Sequence, residues 1–181
     1  MYRQTMEDFV LYAGKELEEA EWQALQDAAG AMSAKMRAVR IVAASSVSKK
    51  DLQQRLVRKG EDPKQAAEAV AWMEDLHLVD DAETARQIVM RCASKGYGIS
   101  RAKQMLYEKK IPQHCWEAAL EDFPDQTEHI LDFLRSREAG LSDPKQTKKA
   151  IDALLRRGHT YSEIRRAMSM MALDADEFPE D

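Results

Sequence analysis

The chain has 181 residues, of which 33% are charged, but only 7 Gly and 5 Pro. This composition is rich in helix-forming residues and poor in helix breakers, so it predicts an all-α protein. No stretch approaches the roughly 20 consecutive apolar residues that a membrane-spanning helix needs. The first residues also lack the basic end and apolar run of a signal peptide, so we expect a cytoplasmic protein without membrane contact.

The net charge of −5 is unevenly distributed. Residues 33–172 carry 25 Lys and Arg against 20 Asp and Glu, whereas residues 1–32 carry 2 against 7 and residues 173–181 carry 0 against 5. The weak basic excess in the middle permits phosphate contacts along one face. We expect the acidic segment 173–181 to be a disordered, solvent-facing tail.

A leading helix is predicted near the start of the chain. Apolar residues recur at helical spacing over residues 16–29, and Gly30 offers a C-terminal stop. This helix and the residues before it form a predicted N-terminal segment, residues 1–31.

A first three-helix module is predicted over residues 32–80. The hydroxyl of Ser48 can cap the middle helix of this module, and Gly60 can end it. The pair Asp62-Pro63 suits the N-cap and first residue of the third helix.

The second module is predicted over residues 81–123. Its first helix begins at the Asp80-Asp81 pair and is broken by the glycine-containing loop 95–98. The middle helix is predicted over residues 100–110, and Pro112 then starts the third.

The third module is predicted over residues 124–172. Its middle helix begins at Asp143-Pro144, which again pairs an N-cap residue with a proline, and ends at Gly158. Residues 160–163 form a capping-box pattern that launches the last helix.

One sequence pattern typical of a helix end occurs three times along the chain, at offsets of 50 and 48 residues. Each copy has a small or leucine residue, then leucine four positions on, and ends in a basic residue followed by Gly60, Lys110 or Gly158. Periods of about 20 to 50 residues indicate stacked copies of a small unit. We therefore expect a tandem array of three three-helix modules, elongated and curved. Such an array favours a docking surface over a catalytic pocket.

Longer phrases resemble a known family. They are Val79-Asp80-Asp81-x2-Thr84-Ala85, Lys95-Gly96-Tyr97-Gly98-Ile99-Ser100-Arg101-Ala102-x3-Leu106-x2-Lys109-Lys110-Ile111, Leu154-Leu155-Arg156-Arg157-Gly158-His159-Thr160-Tyr161-Ser162-Glu163-Ile164 and Ser48-x3-Leu52-x3-Leu56-x2-Lys59-Gly60. Together these phrases resemble the RecX-type regulators of the RecA recombinase over about residues 32–171. Lys110 stands where the central module of that family usually has glycine.

The resemblance implies an arc of three-helix modules that lies along the groove of a RecA filament on single-stranded DNA and blocks its ATPase and strand exchange. The expected partners are therefore the RecA filament and single-stranded DNA, the latter bound weakly or through RecA. We expect a monomer without enzymatic activity, metal or cofactor. The alternative from the residues alone is a sequence-specific DNA-binding regulator built from helix-turn-helix-like units, with the basic last helix in a major groove.

The candidate contacts with filament or DNA are basic residues near the repeated helix ends, basic residues near the start of the second module's middle helix and in the last helix, and one tyrosine in the glycine-containing loop. They are Arg58, Lys59, Tyr97, Arg101, Lys103, Lys109, Lys110, Arg156, Arg157, Arg165 and Arg166. The alternative for the cations is that they offset the negative ends of helix dipoles, worth about 0.3–1 kcal/mol each. The alternative for Tyr97 is packing over its own module. The Asp80-Asp81 pair is interpreted as a helix cap rather than a metal site.

Overall fold

The computed structural model describes residues 3–171, and within that range it contains helices joined by turns and loops and no strand. The predicted all-α class is therefore confirmed. The predicted acidic tail, residues 173–181, lies outside the described residues. No helix of the described part is long and apolar enough to cross a membrane. The helices are α1 (Arg3–Asp8), α2 (Glu19–Ala44), α3 (Lys49–Arg58), α4 (Pro63–Asp75), α5 (Asp81–Ser94), α6 (Ile99–Glu108), α7 (Trp116–Glu121), α8 (Thr127–Arg135), α9 (Pro144–Arg156) and α10 (Tyr161–Met170).

The chain divides into two compact units, Met1–Thr84 and Ala85–Asp181. The first unit holds a hydrophobic cluster from α2, α3 and α4, whose fully buried members include Leu52, Leu56 and Met73. The second unit holds two clusters, one centred on Leu106 in α6 and one on Leu154 in α9. The division into three modules stays a prediction.

The prediction that Gly30 ends a leading helix is wrong. Helix α2 runs without a break through this position, so the predicted boundary between residues 31 and 32 falls inside it. Gly30 instead leaves room for the side-chain amide of Gln65 of α4, which a Cβ there would meet. The Gln65 amide donates to the carbonyl of Asp27, one turn earlier in α2, over 3.3 Å. A glycine inside a helix can serve such a contact instead of a stop.

The predicted N-caps are confirmed. Ser48 accepts a hydrogen bond from the amide of Asp51, and Asp62 and Asp143 cap helices that start with proline. Thr160 forms a reciprocal capping box with Glu163 at the start of α10. These local pairs fix where each helix begins, because each one satisfies amides that lack a partner in the first turn.

The third helix of the second module starts differently from the prediction. Pro112 precedes a 3-10 turn, Gln113–Cys115, and the α-helix begins only at Trp116. The indole of Trp116 donates to the carbonyl of Ile111 over 3.0 Å, which ties the start of α7 to the end of the preceding turn. The thiol of Cys92 in α5 is buried, and desolvation by burial raises its pKa.

Candidate functional site

The repeated helix ends have the same backbone geometry in all three copies. The residue after the basic cap position has positive φ at Gly60 (91°), Lys110 (57°) and Gly158 (90°). In each turn the next amide donates to the carbonyl five positions earlier, over 3.1, 3.0 and 3.2 Å: Glu61 to Leu56, Ile111 to Leu106 and His159 to Leu154. This is the Schellman end of a helix, which glycine favours because a Cβ is strained there. The sequence repeat is therefore also a repeat of local structure.

The departure at Lys110 leaves the turn unchanged. Its φ of 57° lies in the left-handed region that residues with a side chain rarely adopt. Its amide nevertheless donates to the carbonyl of Tyr107, three positions earlier, over 2.9 Å, and the glycines of the other two copies make the equivalent hydrogen bond. Since a left-handed residue with a Cβ costs roughly 1–2 kcal/mol, this copy keeps its shape at the expense of stability.

The basic side chains at these ends face solvent. Arg58, Lys59, Lys109, Arg156 and Arg157 are exposed, and Lys110 is half-buried. The backbone of Lys59 is also fixed, since its carbonyl accepts a hydrogen bond from Arg37 over 2.8 Å. Arg58, Lys59, Arg156 and Arg157 can therefore reach a partner, and all of these basic residues lie where they offset the helix dipole. Both interpretations stay open for them.

The glycine-containing loop of the second module contacts the end of α9 in the same unit. The amide of Gly98 donates to the carbonyl of Arg157 over 2.9 Å, and the amide of Ser100 donates to the carbonyl of Gly158 over 3.3 Å. The buried ring of His159 bonds through Nε2 to the carbonyl of Gly96 over 3.1 Å. Two of the phrases that carried the family resemblance thus meet in one contact, the loop–turn junction, formed by residues 96–101 and 157–159.

Two glycines of the loop–turn junction allow the backbones to approach. A Cβ on Gly98 would collide with the carbonyl of Gly158, and a Cβ on Gly158 would collide with the backbone nitrogen of Arg101. Backbone atoms cannot swing away as a side chain can, so any larger residue must separate the two segments. The sequence predicted a break and a stop at these glycines but not that they touch.

His159 is the titratable group of the loop–turn junction. It is 4% exposed, and desolvation by burial lowers its pKa from the ordinary value of 6.5, although the Gly96 hydrogen bond and Glu163 act in the opposite direction. Because the Gly96 carbonyl can only accept, Nε2 carries the proton and Nδ1 is the buried atom without a hydrogen-bond partner among the described residues. The neutral ring fits the junction, and a second proton would be buried without an acceptor.

Three predicted contact residues lie near the loop–turn junction. Tyr97 is half-buried and packs against the hydrophobic cluster of its own segment, which favours the packing interpretation. The guanidinium of Arg101 bonds to Gln104 on the same helix over 2.7 Å, whereas Lys103 is exposed. Of these three residues, Lys103 is the most accessible to a partner.

The last helix holds two further predicted contacts beside an open groove of about 690 Å³ lined also by Tyr161. Arg166 donates to both carboxylate oxygens of Asp125 over 3.1 and 3.2 Å and to the hydroxyl of Thr127 over 2.6 Å. The hydrogen bonds from Thr127, and then the charge of Arg166, hold the pKa of Asp125 below its ordinary value. Arg166 therefore ties α10 to the start of α8. Both Arg165 and Arg166 are exposed.

The Asp80-Asp81 pair acts structurally. Asp80 accepts from the amides of Ala82 and Glu83 at the start of α5, and Asp81 accepts from the amide of Lys49 over 2.9 Å. Within residues 3–171 no group of three or more His, Cys, Asp or Glu is placed to hold a metal ion. The capping interpretation is confirmed for Asp80.

Sequence reasoning missed two kinds of exposed residue. Tyr107 and Tyr161 are 75% and 46% exposed, although Tyr97 was the only tyrosine predicted to contact a partner. Arg137 and Lys149 line a groove of about 520 Å³ beside α8 and were not predicted as contacts. The available signal was the density of basic residues between positions 135 and 157, where seven Lys and Arg stand against three Asp and Glu.

The comparisons with known proteins identify the family. No family model matches the chain. However, Regulatory protein RecX of Xanthomonas campestris pv. campestris (strain B100) is 34% identical over 134 residues, which cover 72% of this chain and 83% of that protein. The chain belongs to the RecX family. A second RecX protein, from Stenotrophomonas maltophilia (strain R551-3), is 32% identical over 72% of this chain and 82% of its own length.

Two solved structures share the RecX fold. The crystal structure of a regulatory protein RecX has a TM-score of 0.71 and 20% identity, covering 93% of this chain and 84% of that one. The crystal structure of RecX from Lactobacillus salivarius has the same TM-score and identity, covering 80% and 98%. The similarity in fold thus covers most of the chain.

Proposed function

We propose that this RecX-family chain is a non-enzymatic regulator of the RecA recombinase. It docks along the RecA filament on single-stranded DNA and suppresses ATP turnover and strand exchange. The observation that carries the proposal is the 34% identity to a regulatory protein RecX over 83% of that protein. The relatives are named as regulatory proteins, which agrees with a docking role rather than catalysis.

The exposed cations support a docking surface. Within residues 3–171, Arg58, Lys103, Arg156 and Arg157 form no ion pair, and all four are exposed. Unpaired surface cations attract a negatively charged polymer and raise the rate of encounter. The predicted contacts Lys59, Lys109, Lys110, Arg101, Tyr97, Arg165 and Arg166 belong to the same proposal.

Several weak contacts on one chain would act together on a repeating partner. Each repeat carries a basic residue at a Schellman turn of the same backbone geometry. The positive charge of each copy is therefore attached to the same local backbone structure. Once one copy is bound, the others face neighbouring sites at a high effective concentration. A filament with successive equivalent subunits is a partner that offers such sites.

The alternative of a sequence-specific regulator needs the basic last helix to face a DNA groove. Arg166 is instead engaged with Asp125 and Thr127 of its own unit, which weighs against a role in base recognition. We therefore do not propose that function.

The test is the ATPase rate of RecA on single-stranded DNA with the purified full chain added below the RecA concentration. We expect the rate to fall, and a double variant, Arg58→Gln with Arg156→Gln, to need about threefold to tenfold more protein for the same inhibition. Lys50→Gln is the matched control, because Lys50 is an exposed cation at the opposite end of α3 from Arg58. Unchanged ATP turnover and strand exchange with the wild-type chain would contradict the proposal.

A further inference from the structure

Two guanidinium groups share one aromatic ring in the second unit. The Cζ atom of Arg137 lies 3.8 Å from the centroid of the Phe133 ring, and that of Arg157 lies 4.8 Å from the same centroid. Phe133 is 9% exposed, so its ring is part of the core, whereas both arginines are on the surface. The negative face of an aromatic ring attracts a cation and limits its motion. Two positive charges therefore lie beside one ring.

The Arg137 side chain is held in place by neutral groups. Its Nη1 donates to the carbonyl of Phe133 over 3.1 Å and to the hydroxyl of Ser136 over 2.7 Å. The backbone of Arg157 is held in place, since its carbonyl accepts a hydrogen bond from the amide of Gly98 at the loop–turn junction. A guanidinium has five N–H donors, so most of those on Arg137 are left for another acceptor.

Neither arginine has a carboxylate partner within residues 3–171, which is unusual for two cations this close. Nearby Arg135 shows the ordinary arrangement, since it pairs with Asp132 over 3.3 Å. Like charges near one another without a counterion repel, and an anion bound beside them reduces that cost. The arrangement around Phe133 thus favours a negatively charged ligand.

An open groove of about 520 Å³ begins at Arg137 and continues toward α9, where Lys149 lines it. Ser136 and Gln146 add neutral hydrogen-bonding groups to the same lining. Glu138 also lines the groove and forms no ion pair with Arg137 in the described part of the chain. Seven Lys and Arg against three Asp and Glu in residues 133–157 give this surface a positive charge.

We infer that this groove binds the phosphate groups of a nucleic-acid backbone, with Arg137 and Lys149 of its lining as cationic contacts and Arg157, which lies over the same Phe133 ring as Arg137, as a third. Guanidinium groups match the geometry of phosphate oxygens, and an open groove suits a chain that passes through better than an enclosed small ligand. The arrangement of cations favours an anionic ligand, and the choice of a nucleic acid as that ligand rests on the proposed function. Arg137 and Lys149 lie outside the contacts predicted from the sequence.

The test is the binding of a fluorescent oligothymidylate to the purified full chain, followed by anisotropy over a series of salt concentrations and without RecA. We expect Arg137→Gln and Arg157→Gln each to weaken binding about threefold to tenfold. Each should also reduce the slope of log K against log salt by about 0.7, the value for one contact with a single-stranded backbone. Glu138→Gln should tighten binding, because it removes the negative charge in the groove.

The control for a general effect of net charge is Arg91→Gln, which removes an exposed cation from α5 in the same unit. Equal weakening by Arg91→Gln and Arg137→Gln would overturn the site, as would the absence of oligonucleotide binding by the wild-type chain. Arg137→Lys keeps the charge and loses the fork of donors, so it should bind between wild type and Arg137→Gln. Calorimetry on each variant checks that the fold is retained.

Competition with polyglutamate separates phosphate from carboxylate ligands. Polyglutamate of matched charge should displace the oligonucleotide poorly; displacement at equal concentration would assign the groove to an acidic protein surface and overturn the inference. Because the assay contains no RecA, its failure is distinct from failure of the ATPase test, which concerns the proposed function.

Discussion

The glycines of the repeated turn allow backbone strain to be separated from close packing. Gly60 and Gly158 hold equivalent places in two copies, with φ of 91° and 90°. A Cβ on Gly60 would meet no atom within 4 Å, whereas a Cβ on Gly158 would collide with the backbone nitrogen of Arg101. Alanine at Gly60 therefore tests strain alone, and alanine at Gly158 tests strain together with the loop–turn junction.

The expected magnitudes follow from these contacts. A left-handed alanine costs roughly 1–2 kcal/mol, offset by about 0.4–1 kcal/mol because alanine restricts the unfolded chain, so Gly60→Ala should destabilise by about 1 kcal/mol. Gly158→Ala also displaces the Gly98, Ser100 and His159 hydrogen bonds, worth roughly 0.5–1.5 kcal/mol each. We expect a total loss of about 3–5 kcal/mol.

Gly98→Ala completes the set. Gly98 has φ of −78°, which any residue adopts, so alanine there adds no dihedral strain and reports only the collision with the carbonyl of Gly158. We expect a loss of about 2–4 kcal/mol from the separated backbones. The assay is differential scanning calorimetry of the full chain, with hydrogen exchange at the amides of Gly98 and Ser100. Equal losses for Gly60→Ala and Gly158→Ala would refute the close approach as the cause.

The remaining predictions concern single positions. Lys110→Gly should stabilise the second unit by about 0.5–1 kcal/mol in urea unfolding, since it removes a left-handed side chain; destabilisation would show that the side chain outweighs the strain. Thr160→Ala should cost about 1 kcal/mol through loss of the capping box, with Thr160→Ser, which keeps the capping hydroxyl, as the control. Burial lowers the pKa of His159 below 6.5, so the unfolded chain takes up the proton first and stability is lost as the pH falls below that value. Unfolding at pH 7.5 and 5.5 should show a smaller loss for His159→Gln than for wild type, and an equal loss would contradict this assignment.

The local features could be predicted from the sequence because they depend on residues close in the chain. Ser48, Asp62 and Thr160 cap helices through partners two or three positions away. The pattern of Gly60 and Gly158 likewise predicted where helices end. Each of these signals is complete within one turn of helix, so no knowledge of tertiary contacts is needed.

Features that depend on distant residues could not be predicted in this way. Gly30 was misread as a stop because the side chain that packs on it, Gln65, lies 35 positions later. The ring of Phe133 gathers Arg137 from the next turn and Arg157 from another helix, and only the folded chain brings them together. Sequence alone could report the basic density of this region but not which cations lack a partner.

The most direct measurement of the central claim is the binding of the full chain to RecA, with and without single-stranded DNA. The account predicts that the chain sediments with RecA filaments assembled on single-stranded DNA and that this association weakens as salt is raised, because exposed cations contribute to it. Absence of the chain from the filament pellet at low salt, with RecA fully assembled, would contradict it.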